Sequence, residues 1–193
     1  SRVEAAFDGS GHSVASARAL SYFSRAAYYQ EATAGISFYE LVADLDEHFD
    51  EKKEELTAQL KKLVQMIFVP ERMLVSVVCE EEDYQAVKEQ IASLLKNLYP
   101  SKGKMAERRL PELHFEKKNE GFMDASQVQY VARAGNYVRH GFSYHGALRI
   151  LKVIMGYDYL WINVRVKGGA YGCMNSYMRN GDTYFVSYRD PNL

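Results

Sequence analysis

Two residues that flank a glycine-rich turn, Arg165 and Tyr171, have the types and spacing best suited to chemistry. Arg165 ends a predicted helix and Tyr171 begins a predicted strand, so the turn at Gly168 and Gly169 can bring both side chains to one place. Arginine is a permanent cation with a planar fork of donors, and tyrosine offers a neutral O–H. The pair could stabilise an oxyanion or bind a peptide carbonyl. In the alternative, Arg165 pairs with a surface carboxylate and Tyr171 packs against its neighbours.

The sequence lacks the residue patterns of zinc hydrolysis, phosphate binding and nucleophilic catalysis. The sequence holds neither His-Glu-x-x-His nor its inverse, and its histidines are poorly placed as metal ligands: His12, His48, His114, His140 and His145. The glycines of residues 168–172 follow a helix, whereas a phosphate-binding loop precedes one. Cys79 and Cys173 have no nearby histidine, and there is no Gly-x-Ser-x-Gly. We therefore expect no catalytic residue, no cofactor and no metal ligand in this chain.

The composition of the chain argues against several classes of protein. Across 193 residues, 24 Lys and Arg balance 25 Asp and Glu, which argues against a nucleic-acid partner. No apolar run reaches the length of a membrane span. The first residues do not resemble a signal peptide, and two distant cysteines favour a reducing compartment, so we expect cytoplasm or an organelle matrix. We also expect both ends to be cuts through a longer chain.

The elements that position the pair alternate between helix and strand. Apolar spacing predicts helices over 12–34, 36–48, 50–68, 84–98 and 143–166. Asp50 is the expected N-cap of the third helix, and Gly35 is the expected break after the first. The charged, Gly- and Pro-containing residues 101–121 predict a linker or long loop.

The strand pattern completes the predicted fold. The short apolar run 73–79 predicts a strand buried on both faces, and Asn180-Gly181 predicts a hairpin near the C-terminus. We expect an α+β fold with helices packed on one face of a single mixed, largely antiparallel sheet. Its predicted strands are Leu74–Cys79, Val128–Ala134, Gly172–Arg179 and Thr183–Arg189.

Two C-terminal stretches, LWINVRVKGGAYG and SYMRNGDTYFVSYRDPNL, resemble the C-terminal half of pitrilysin/insulinase-type zinc metallopeptidases, in the presequence-protease branch. The upstream stretch AYYQEATAGISFYELVADLDEHFDEKKEELTAQL is similar to the same group, so the resemblance extends from about residue 12 to 193. It implies four related α+β domains in two halves that close around a chamber. On this basis, the end of the third domain comprises residues 1–100, and the start of the fourth domain comprises residues 122–193. Residues 101–121 form the linker or long loop between them.

The resemblance also implies a function. The absent N-terminal half would bind zinc, while Arg165 and Tyr171 would reach the peptide substrate as substrate-binding residues and Gly168 and Gly169 would form the structural turn. The chain would be inactive alone, and its partners would be the N-terminal catalytic half and peptides. We also expect exposed apolar surface and self-association of the fragment. The alternatives are a non-catalytic scaffold subunit related to these peptidases and a free-standing α+β binding domain.

Overall fold

The computed structural model describes residues 10–100, 111–123 and 127–192, which form two compact units. One unit combines the described residues of Ser1–Asp44 and Glu112–Leu193, and the other comprises those of Leu45–Pro111. Most of the predicted linker, 101–110, lies outside the described residues, and its described part, 111–121, has no helix or strand. The assignment to a third and a fourth peptidase-like domain stays a prediction.

Three helices lie near the N-terminus: α1 (Gly11–Ser21), α2 (Arg25–Ala34) and α3 (Ile36–Glu47). The prediction of one helix over 12–34 is wrong, because the chain leaves the helical conformation before Ser24. Ser24 has an extended backbone, and its hydroxyl accepts a hydrogen bond from the Ala27 N–H at 3.5 Å, which starts a new helix. The predicted break at Gly35 is confirmed, since its N–H donates to the Glu31 carbonyl at the end of α2.

The sheet of the first unit has three antiparallel strands, β1 (Ala132–Asn136), β2 (Gly172–Tyr177) and β3 (Asp182–Tyr188), in the order β1-β3-β2. The predicted C-terminal hairpin is confirmed. Gly181 turns it with φ of 92°, and the Met178 N–H donates to the Asp182 carbonyl at 2.8 Å. The register places Gly172 opposite Tyr188. The α+β class is confirmed, although the described sheet is antiparallel throughout and not mixed.

Helices from the N-terminal part and from the C-terminal part of the sequence pack against this small sheet. The helix α1 packs on β1 and β3. The predicted helix over 143–166 is α6 (Ala147–Ile154) followed directly by a π-helix (Met155–Lys167), and both pack on β2. The π-helix ends directly before Gly168 and Gly169, where the sequence predicts the turn. β1 begins four residues after the start of the predicted strand Val128–Ala134 and ends two residues beyond it, and Gln129 contacts Asp190 only through an isolated bridge.

The second unit consists of α4 (Phe49–Ile67) and α5 (Tyr84–Lys96), joined by extended chain and two short 3₁₀ turns, Pro70–Arg72 and Glu81–Asp83. The predicted N-cap of α4 is wrong. The helix begins at Phe49, one residue before Asp50, and Asp50 lies in its first turn, where it forms an exposed ion pair with Lys53 at 2.8 Å. A carboxylate in the first turn still stabilises the helix, because it faces the positive end of the helix dipole.

The predicted strand Leu74–Cys79 is also wrong. The segment is not part of a strand ladder in the described part of the chain. Its side chains alternate: Val75 and Val77 face a shallow cleft against α5, whereas Leu74 is 96% exposed and Val78 is fully exposed. A strand is defined by ladder hydrogen bonds to a neighbour, and no described segment supplies one here.

Candidate functional site

The structure brings the two predicted substrate-binding residues together. The guanidinium carbon of Arg165 lies 5.7 Å from the centre of the Tyr171 ring. The intervening turn depends on two glycines. A Cβ on Gly168 would lie 2.6 Å from the Val164 carbonyl oxygen, and Gly169 has φ of 80°, which glycine tolerates best. Tyr171 then leaves the turn with its N–H donating to the Arg189 carbonyl at 3.2 Å.

Trp161 holds the guanidinium from a second side. Its ring centre lies 4.0 Å from the guanidinium carbon of Arg165, a close cation–π distance. Trp161 precedes Arg165 by four residues on the π-helix, so the two side chains project from neighbouring turns of one element. The side chain of Arg165 is therefore half-buried and in contact with two aromatic rings, and the N–H groups at the edge of its plane are its remaining polar surface.

Those N–H groups have no protein acceptor in the described part of the molecule. The guanidinium of Arg165 makes no ion pair or hydrogen bond with a side chain in residues 10–100, 111–123 or 127–192. The Tyr171 ring is 65% exposed, so it does not pack in the interior. This arrangement differs from the alternative given above, in which Arg165 forms an ion pair with a surface carboxylate and Tyr171 packs against its neighbours. It leaves a cation and a phenol open to a ligand.

The aromatic contacts continue beyond Tyr171. Its ring centre lies 5.8 Å from that of Tyr188 at the end of β3, and Tyr188 in turn contacts Tyr130 at 5.6 Å and His12 at 4.9 Å. The guanidinium carbon of Arg189 lies 5.4 Å from the centre of the Tyr188 ring. Trp161 contacts Arg165, and Tyr188 and Arg189 continue the row of contacts from Tyr171. These three residues were not predicted as part of the site. The four-residue spacing from Trp161 to Arg165, and the hairpin register, are the signals that could have found them.

A cysteine lies within the electrostatic reach of Arg165. Cys173 is half-buried on β2, and burial raises the pKa of its thiol, while the positive charge of Arg165 partly opposes that rise. Cys79 of the second unit is exposed, and both cysteines are free thiols. The thiol of Cys173 is therefore largely protonated near neutral pH and is not an activated nucleophile.

A second polar cluster, centred on Arg18, has a structural character. Arg18 donates to Glu31 at 3.0 Å, to Ser37 at 2.9 Å and to Glu120 at 2.8 Å. The hydrogen bond with Glu120 is the main reason that the pKa of Arg18 is raised. Glu31 is 3% exposed, and a Cβ on Gly35 would collide with it. The cluster ties α1, α2 and α3 to the segment that precedes β1, and sequence spacing gave no sign of it.

The described residues do not fit a zinc ion. No group of three or more His, Cys, Asp or Glu side chains comes together within residues 10–100, 111–123 and 127–192. Over the same residues, every helix is too short or too polar to cross a bilayer.

Comparisons with known proteins place these features in a wider context. Two family models match the chain: "PreP C-terminal domain" over residues 119–193, which includes Arg165 and Tyr171, and a peptidase-associated domain over residues 1–45. Similar proteins include Protein HypA of Clostridium perfringens, 41% identical over 100% of this chain and 19% of its own length. Presequence protease 1, chloroplastic/mitochondrial, of Arabidopsis thaliana is 30% identical over 100% of the chain and 18% of its length.

The mitochondrial presequence protease of Eremothecium gossypii is 30% identical over 94% of the chain and 19% of its length. The chain thus spans about a fifth of the length of the curated relatives it matches. The matches cover both ends of the chain, and the regions they share with it include the turn between the π-helix and β2.

Proposed function

We propose that this chain, which belongs to the presequence-protease-like branch of the pitrilysin family, supplies peptide contacts to a larger zinc-dependent endopeptidase and does not cleave peptides by itself. In this proposal its partners are peptide substrates and the N-terminal half of the same polypeptide, which would carry the zinc. The location, cytoplasm or organelle matrix, and the self-association of the isolated chain remain part of the proposal.

One observation supports this role above all: Arg165 is in contact with two aromatic rings while its edge donors lack a described protein acceptor. A carbonyl oxygen of a bound peptide is a suitable acceptor for those donors. When the scissile carbonyl is attacked, its oxygen gains negative charge, and a fixed guanidinium stabilises that charge more strongly than it binds the neutral carbonyl. Tyr171, exposed beside it, can donate its O–H to the same oxygen or to the adjacent backbone.

The test uses the longer protein that contains this chain. Arg165→Ala removes a charged donor, and we expect turnover of a peptide substrate to fall by about 10²–10³-fold. Tyr171→Phe keeps the ring and removes only the hydroxyl, so its effect on turnover measures hydrogen bonding apart from packing. Arg179→Ala is the control, because Arg179, like Arg165, lies against an aromatic ring, that of Tyr144 at 5.7 Å, but is exposed rather than half-buried.

Thermal unfolding of the same variants separates function from stability. We expect the melting temperatures to remain near that of the unaltered protein while turnover falls. Arg165→Lys should recover only part of the activity, because a point charge lacks the planar fork. If Arg165→Ala and Tyr171→Phe both retain full turnover, the proposed role is wrong, whatever happens to stability.

A further inference from the structure

We propose that Arg189 is a second peptide-contacting cation, at the far end of an aromatic row formed by Trp161, Arg165, Tyr171, Tyr188 and Arg189. The inference rests on the proposed function and extends it. The row takes a peptide in an extended conformation and contacts the backbone carbonyl oxygens through its two guanidinium groups.

Every neighbouring pair along the row is in contact. Arg165 lies 4.0 Å from Trp161 and 5.7 Å from Tyr171. The rings of Tyr171 and Tyr188 are 5.8 Å apart, and Arg189 lies 5.4 Å from the Tyr188 ring. Each guanidinium is therefore supported by a ring face while its edge remains available to acceptors.

The backbone of Arg189 is held in an unusual conformation. It has φ of 48°, and among the described residues it is the one non-glycine residue with positive φ. A bulky residue in this left-handed region is strained, and such strain persists where the surrounding structure fixes it. The Arg189 carbonyl accepts the Tyr171 N–H at 3.2 Å, so one hydrogen bond fixes the end of β3 to the turn that presents the proposed site.

The charge and spacing of the row indicate the ligand. Arg189 is exposed and, like Arg165, forms no ion pair with a side chain that the structure describes. Two unneutralised cations favour oxygen acceptors, and open aromatic faces favour apolar side chains. The two tyrosine rings, 5.8 Å apart, form a continuous aromatic surface about as long as two residues of an extended peptide, which repeat at about 6.6 Å. We expect an extended peptide to lie along the row with its side chains against the tyrosine rings and its carbonyl oxygens near the guanidinium groups of Arg165 and Arg189.

Trp161 is the single tryptophan of the 193-residue chain, so its fluorescence reports directly on this row. The probe is a short uncharged peptide with acetylated and amidated ends, titrated into the chain. We expect a saturable change in Trp161 fluorescence and about tenfold weaker binding for Arg189→Gln, the loss typical of a hydrogen bond to a charged group. Arg179→Gln, which removes another exposed, ring-supported arginine of the same unit, should bind like the unaltered chain.

Arg189→Gly removes the side chain but accepts the positive φ without strain. It should weaken binding as much as Arg189→Gln without lowering the melting temperature, which a purely structural role for Arg189 does not predict. A peptide with a free C-terminal carboxylate should bind no more than a few-fold better than the amidated peptide; more than tenfold better binding would overturn the assignment to backbone carbonyls.

The two proposals fail in distinguishable ways. If Arg165→Gln weakens binding and Arg189→Gln does not, the inference about Arg189 is wrong and the proposed function stands. If neither substitution weakens binding, or if the unaltered chain shows no saturable response, the aromatic row is not a peptide site. In that case turnover of the Arg165→Ala variant in the longer protein still decides the proposed function separately.

Discussion

Both units of the chain contain short runs rich in residues that favour strands, yet among the described residues only the first unit pairs such runs into a sheet. In the first unit, β3 is hydrogen-bonded on one side to β1 and on the other to β2. In the second unit, the run Met73–Cys79 has no ladder partner among the described residues. The difference shows that strand propensity is realised only where a partner is available, and the hairpin supplies its partner a few residues away along the chain.

The two units also differ in how far their ion pairs are buried. The first unit holds Arg18 and Glu31 in an ion pair whose carboxylate side chain is 4% exposed. In the second unit, Lys53 and Asp50 pair on the surface, where both side chains are at least half exposed. A buried pair contributes to stability only while both partners are present, whereas a surface pair contributes little in either case.

The largest expected effect comes from this charge comparison. Arg18→Met leaves the carboxylate of Glu31 buried without its cation, and we expect the free energy of unfolding to fall by about 3 kcal/mol. Lys53→Met, the matched change in the second unit, should alter it by less than about 0.5 kcal/mol. Chemical denaturation of both variants measures the difference. Equal losses would mean that the Arg18 cluster does not stabilise the first unit.

The next effect concerns the strands themselves. Val186 on β3 is 4% exposed, and Val186→Ala removes two buried methyl groups, which should lower the free energy of unfolding by about 2 kcal/mol. Val78 is fully exposed on the unpaired segment, so Val78→Ala should change it by less than about 0.5 kcal/mol. A large loss for Val78→Ala would show that residues 73–79 are packed in solution, for example in a self-associated form of the chain.

Sequence reasoning located the elements where local signals were complete. The Asn180-Gly181 turn predicted the hairpin, and the apolar spacing predicted α3, α4 and α5 to within about two residues. It missed the break before Ser24, because a serine cap inside a continuous apolar pattern is a weak signal. It assigned residues 73–79 to a sheet from composition, which cannot reveal whether a neighbouring strand exists.

The candidate site could be predicted in part for the same reason. Arg165 and Tyr171 are separated by one short turn, so their proximity follows from local sequence. Tyr188 and Arg189 reach the site only through the β2–β3 register, which places Tyr188 opposite Gly172. The Arg18 cluster depends on Glu120, which is distant in sequence, and no local pattern indicates such a contact.

A smaller effect is expected at the hairpin turn. Gly181 has φ of 92°, and a Cβ there would lie 2.5 Å from the Asn136 side-chain oxygen and 2.6 Å from Val138. Gly181→Ala should therefore lower the free energy of unfolding by about 1–2 kcal/mol. Gly146→Ala is the control, because a Cβ at Gly146 meets no atom within 4 Å in the described structure. Thermal or denaturant unfolding of both variants measures the effect, and a neutral Gly181→Ala would contradict the turn geometry.

The smallest effect tests the electrostatics of the proposed site through its neighbouring thiol. Burial raises the pKa of Cys173, and the charge of Arg165 partly opposes that rise. Arg165→Gln removes the opposing charge, so the pKa rises further, the thiolate fraction at a given pH falls, and alkylation of Cys173 should slow by about twofold. The measurement uses a Cys79→Ser background, in which Cys173 is the single reactive thiol.

The direction of this last effect distinguishes charge from access. A loosened structure would expose Cys173 and speed alkylation, whereas loss of a nearby cation slows it. The slowing should be greatest below the pKa of the thiol, where the rate follows the thiolate fraction, and should vanish at high pH, where both proteins are fully ionised. Arg179→Gln serves as the control for loss of an arginine elsewhere in the unit. Faster alkylation in Arg165→Gln at every pH would show that Arg165 limits access to Cys173 by packing. The charge of Arg165 would then not be what controls the thiol, contrary to this prediction.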